Sequence, residues 1–162
     1  MSIFAKIEKK YNLKLKEAPI RLNGGFMHKM YKLETEQGTY ALKLLNKFVM
    51  QRETAMENYV MAERLELLLE QNQIPILPAL TFDGRKMQEI DNEYFYLFDY
   101  YDGKPLKDKD ITEYHCTEMG KSLAKIHNID YRVREKDFEE MSINWSFYLS
   151  EMKKQIFGYM KC

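Results

Sequence analysis

The chain has 162 residues, 45% of them hydrophobic and 14% aromatic, enough to build a packed core and too apolar for a disordered segment. Lys plus Arg total 25 and Asp plus Glu total 25, so no net charge recommends nucleic acid or an anionic membrane as a partner. Cys116 and Cys162 have the spacing of neither a disulfide framework nor a zinc site, no apolar run has the length of a membrane span, and no signal peptide opens the chain; the expected compartment is the cytoplasm.

Ile3, Phe4, Ile7 and Tyr11 fall at helical spacing and predict a short helix over 2–11. Residues 13–22 alternate imperfectly and predict a strand that Pro19 confines to an edge. Gly24-Gly25 predicts a turn. Met30–Glu34 and Thr39–Leu45 predict two strands joined by a hairpin turn at Glu36-Gln37-Gly38. Residues 50–72 lack Gly and Pro and predict one long helix that ends before Pro75. A hairpin around Asp83-Gly84 is expected over 79–90, then an aromatic strand from Glu93 to Tyr100. Asp102-Gly103-Lys104-Pro105 predicts a turn or linker, and residues 110–128 and 142–160 predict helices. Strands with one helix followed by helices alone imply an α+β domain leading into a helical one, not a doubly wound parallel sheet.

Three features could carry chemistry. Lys43 lies among Leu42, Leu44 and Leu45 on a strand, where its ammonium either reaches solvent or needs an anion. Glu63 follows Tyr59 and Val60 and precedes Leu67 on one helix face; a carboxylate there either reaches water or needs a partner, which Lys43 would supply if the helix packs on the sheet. Glu53, Glu57, Glu66 and Glu70 occupy the same helix, so periodicity alone does not single out Glu63. Gly24-Gly25 is either an ordinary hairpin turn or a backbone that approaches phosphate. A glycine turn, a hairpin, a strand lysine and a helix glutamate occur here in the order that kinases use.

The run Leu22-Asn23-Gly24-Gly25-Phe26-Met27-His28-Lys29-Met30-Tyr31-Lys32-Leu33-Glu34-Thr35, with Gly38-Thr39-Tyr40-Ala41-Leu42-Lys43, resembles the opening of the aminoglycoside phosphotransferase and choline kinase-like family. Ala62-Glu63-Arg64 with Gln73-Ile74-Pro75-Ile76-Leu77-Pro78, Tyr96–Leu106 and Met119–His127 resemble the family's helix and link, its hinge, and the helix after the hinge. The resemblance implies a kinase-like N-lobe over 1–98 (a five-stranded antiparallel sheet and a long helix), a hinge over 99–106, and the first helices of a C-lobe over 107–162. It implies ATP as cofactor. Lys43 would contact the phosphates and Glu63 would orient Lys43; backbone groups of Asp99 and Tyr101 would meet the adenine edge, with Phe98 behind it and Gly24 and Gly25 covering the phosphates. His28 would point at phosphate or cap a turn, the second being favoured, and His127 would be structural.

The family's His-x-Asp followed by Asn, and its metal-binding Asp, have no counterpart; His127-Asn128-Ile129-Asp130 has the wrong spacing. Magnesium is expected only with those ligands, no metal site is assigned here, and the chain is expected to be inactive alone. Trp145, Tyr148, Leu149, Met152, Ile156 and Tyr159 form an apolar stripe expected to self-associate or to meet a separate C-lobe. The other readings are a non-catalytic scaffold and a kinase completed by a second chain. The acceptor hydroxyl is not legible.

Overall fold

A computed structural model of the chain describes residues 1–23, 27–104 and 106–129. Met1–Asn128 forms one compact unit. The expected 142–160 helix lies outside the described residues.

Helix α1 (Ile3–Tyr11) starts where the Ser2 hydroxyl accepts the Ala5 N–H, and ends on Asn12 in the left-handed conformation. Five strands follow: β1 (Ile20–Leu22), β2 (Lys29–Glu34), β3 (Thr39–Leu44), β4 (Gln88–Ile90) and β5 (Glu93–Asp99). All are antiparallel, in the order β1-β2-β3-β5-β4. Between β3 and β4 come α2 (Lys47–Met50) and α3 (Ala55–Gln71). A turn of 3₁₀ helix (Asp108–Asp110) and α4 (Glu113–His127) follow the sheet. The α+β fold read from the sequence, with five antiparallel strands and a long helix, is the fold observed. Among the described residues no helix is long and apolar enough to cross a membrane.

Alternation along the strands divides the sheet into two faces. One carries Leu33, Leu42, Phe95 and Leu97, which close on Ile7 and Leu13 as the main core. The other carries Tyr96, which with Leu45 and Ala79 forms a second core flanked by Tyr59 of α3 and Met50 of α2.

Three expectations are corrected. The strand predicted over 13–22 is reduced to β1 and one bridge, Leu15 to Thr35; Lys16 donates to the Glu34 carbonyl and Glu36 to that of Lys14, so the stretch pairs with the chain beside the β2–β3 turn. The helix expected over 50–72 begins only at Ala55, because residues 51–54 turn after a separate short helix, α2, which the Asn46 side chain caps at the Phe48 N–H. Asp83-Gly84 closes only the bridge Phe82 to Arg85, while the hairpin that builds β4 onto β5 turns at Asp91-Asn92. Both of those residues have positive φ, 50° and 60°, as a two-residue hairpin turn requires. Asn92→Val should therefore cost roughly 1–2 kcal/mol, and Asn92→Gly should cost nothing, in urea denaturation.

Candidate functional site

The register assembles two rows of side chains on the sheet face opposite α1. Cross-strand partners share a face, so Ile20, Lys32, Ala41 and Phe98 make one row and Leu22, Met30, Lys43 and Tyr96 the next. The first row ends on Ala79, bridged to Phe98. Of these eight only Tyr96 is buried, so the rows form a half-exposed apolar floor with lysines set into it.

The two lysines differ. Lys32 Nζ lies 2.6 Å from Glu34 Oε1 and 4.9 Å from the centre of the Tyr100 ring. The hydrogen bond to Glu34 holds the Lys32 ammonium above its ordinary pKa. Lys43 forms no ion pair with any described residue. Its charge is felt by His28.

Glu63 does not pair with Lys43. Its carboxylate accepts the backbone N–H of Met87, just before β4, and lies against the Tyr96 hydroxyl. Burial first, and then the Glu63 charge, push the Tyr96 phenol above its ordinary pKa. A carboxylate that already has a backbone donor needs no lysine. Tyr96, directly across from Lys43, is what connects the lysine's row to Glu63.

The expected face of α3 also changes. Val60 and Leu67, which the sequence placed with Glu63, are exposed, as are Met56 and Leu65. The covered side runs Ala55, Tyr59, Glu63, Glu66, and three glutamates fasten it. Besides Glu63 on Met87, Glu66 accepts the Ala79 N–H at 2.6 Å and Lys86 Nζ at 2.8 Å, and Glu70 accepts Lys86 Nζ at 2.6 Å. Lys86 is only 3% exposed. Burial alone would lower its pKa, but the hydrogen bonds and charges of Glu66 and Glu70 outweigh it and hold the ammonium above the ordinary value. Sequence reading missed Lys86 because a lysine beside Arg85 in a loop looks solvated; a signal was available in Glu66 and Glu70 standing one turn apart on the face of Glu63.

At the hinge, Tyr100 N–H donates to the Thr39 carbonyl at 3.0 Å and carries the chain off the end of β5 beside β3. Asp99 is exposed and lies across from Tyr40. The Tyr101 carbonyl accepts the Gly103 N–H. Phe98 faces the floor. Gly24 and Gly25 lie outside the described residues.

A family model described as the phosphotransferase enzyme family matches residues 20–155. The chain belongs to that family. Among solved structures, a spectinomycin phosphotransferase in complex with ADP and spectinomycin superposes with a TM-score of 0.63 at 17% identity, over 96% of this chain and 47% of that one. A putative aminoglycoside phosphotransferase from Ralstonia eutropha JMP134 gives 0.50 at 17% identity, over 78% of this chain and 37% of that one. At these identities the likeness shows the phosphotransferase fold. This family member spans less than half the length of either structure. A search of curated proteins gives no match.

Proposed function

We propose that this part of the phosphotransferase is its nucleotide-binding portion, which holds ATP for transfer of a phosphoryl group to a hydroxyl acceptor. The observation that carries the reading is Lys43, a cation with no ion-pair partner among the described residues, set in a half-exposed apolar floor. The residues suit the ligand. Ile20, Leu22, Ala41 and Phe98 offer an apolar surface to a flat base, and the Tyr101 N–H at the end of that floor suits a base edge. Lys43 would neutralise phosphate charge, and Gly24 and Gly25 would cover the phosphates. Glu63, held by Met87 and Tyr96, would orient Lys43 through the Tyr96 side chain rather than by direct contact. The ADP in the spectinomycin phosphotransferase supports a nucleotide as the ligand of this fold.

ATP, when bound, supplies the phosphoryl group. The 162 residues contain no His-x-Asp-x-x-x-x-Asn to take the acceptor's proton, so this portion by itself would bind without transferring. Magnesium has no ligand cluster among the described residues.

ADP or ATP at about a hundred times its Kd should stabilise the chain by roughly 2.7 kcal/mol, a rise of several degrees in Tm. Lys43→Ala should weaken nucleotide at least about tenfold, the loss of one charge-assisted contact, and remove at least about half of that rise. A wild-type Tm indifferent to nucleotide would leave the scaffold reading. The exposed apolar sides of α3 (Met56, Val60, Leu65) and α4 (Met119, Leu123, Ile126) favour that alternative.

A further inference from the structure

His28 sits at the entrance to β2, and both of its ring nitrogens are engaged. The Asn46 N–H donates to Nδ1 at 3.2 Å. Nε2 is 3.2 Å from the Tyr59 hydroxyl. Because Nδ1 accepts, it carries no proton, and the neutral ring places its hydrogen on Nε2, where it donates to Tyr59. One side chain therefore joins the start of β2, the β3–α2 corner and α3. The corner is itself fixed, since Asn46 Oδ1 accepts the Phe48 N–H at 2.9 Å. Lys43 lies three residues before Asn46 on the strand that leads into the corner.

The groups around the ring are few. Lys43 acts on it from β3, Tyr59 touches it from α3, and beyond Tyr59 lie Arg52, Tyr96 of β5 and, against Tyr96, Glu63. No described carboxylate forms an ion pair with the imidazole.

We propose that His28 is a positioning residue for Lys43 and a pH-sensitive tie: the neutral imidazole holds β2, the corner after Lys43 and α3 in one arrangement, and protonation at Nδ1 releases it. The consequence for nucleotide affinity rests on the nucleotide-binding reading; the tie itself does not.

A proton on Nδ1 would face the Asn46 N–H, donor against donor, and would put an imidazolium near the Lys43 ammonium. Burial first, and Lys43 second, hold His28 below its ordinary pKa of 6.5. A depressed histidine contributes stability that is present above 6.5, where both folded and unfolded forms are neutral, and that is lost as pH falls through the lowered folded value. Direct phosphate contact by the ring is the opposing reading. It would require displacing Asn46 or Tyr59, and it carries the opposite sign, since an imidazolium would bind phosphate more tightly in acid.

The test is ADP affinity by calorimetry from about pH 8 to about pH 5.5 on wild type, His28→Asn and His28→Ala. Asparagine keeps an acceptor where Nδ1 stands and does not titrate, so the wild-type to His28→Asn ratio cancels the titration of ADP itself. At about pH 8 the two should agree within roughly twofold, and His28→Ala should bind roughly fivefold more weakly, one hydrogen bond's worth. Towards about pH 5.5 wild type should weaken progressively relative to His28→Asn. A ratio that stays flat, or wild type tightening relative to His28→Asn in acid, overturns the proposal. If wild type binds no ADP at any pH, the nucleotide-binding reading fails separately, and ¹⁵N spectra judge the tie. An Nε2–H tautomer, with Asn46 amide protection lost as the ring titrates, supports it; an Asn46 amide indifferent to that titration overturns it.

Discussion

Lys86→Met should destabilise the chain by roughly 3 kcal/mol, about 10 °C in Tm, more than any substitution on the exposed face of α3. The ammonium is almost inaccessible and bonded to two carboxylates. Removing it leaves Glu66 and Glu70, one turn apart on the same helix, without the cation that lies between them. Glu66 keeps only the Ala79 N–H. The triple change Lys86→Met with Glu66→Gln and Glu70→Gln should recover most of the loss, because glutamine still accepts from Ala79 and no charge is then stranded. If the triple variant is no more stable than Lys86→Met, the loss came from packing of the lysine stem, not from stranded carboxylates. The triad also has an alkaline signature. A raised lysine pKa contributes stability that is complete below its ordinary 10.5 and disappears as pH rises through the raised folded value. Wild type should therefore lose stability in that window, and the triple variant should not.

The triad matters to the site because it sits one and two turns beyond Glu63 on the same helix. The helix is joined to the β4 side of the sheet by glutamates acting on donors from a loop and a strand entrance, with little apolar burial: Ala55 is its only fully buried residue among those described. This explains what the sequence conveyed and what it did not. Alternation in Thr39–Leu44 and the aromatic density of Glu93–Asp99 are local, so both strands could be read directly, and the short link at Glu36-Gln37-Gly38 gave the antiparallel β2–β3 hairpin. The partner of Glu63 could not. A backbone N–H at Met87 has no side-chain signature, and lysine and glutamate are complementary by charge whether or not they meet. The same holds for His28, whose acceptor role depends on an amide at Asn46 eighteen positions away. The β4–β5 turn is a different case. Asp91-Asn92 between pairing residues is a two-residue hairpin signal in the sequence, and Asp83-Gly84 competes for the same assignment only because glycine is the more conspicuous turn residue.

Leu42→Ala, next to the candidate lysine, should cost roughly 3–4 kcal/mol and leave nucleotide affinity within about twofold of wild type. Leu42 is 0% exposed and packs with Leu33, Phe95 and Leu97 against α1, on the face opposite the floor. Lys43 points the other way, into the row with Leu22, Met30 and Tyr96. Because a strand alternates with a period of two, adjacent residues report on separate functions. Lys43→Ala removes a half-exposed cation that has no described ion-pair partner, so it should change stability by less than about 1 kcal/mol while removing at least about half of the response to nucleotide. Urea denaturation and calorimetry on the two variants should thus give opposite patterns. A typical domain has about 5–15 kcal/mol to spare, so Leu42→Ala should still be mostly folded at low temperature, where affinity is measured. Should Lys43→Ala unfold the chain as readily as Leu42→Ala, the ammonium would be structural and the two-faced reading of β3 would fail. Should both bind nucleotide as wild type does, the floor would not be the nucleotide site, whatever the stability of the sheet beneath it.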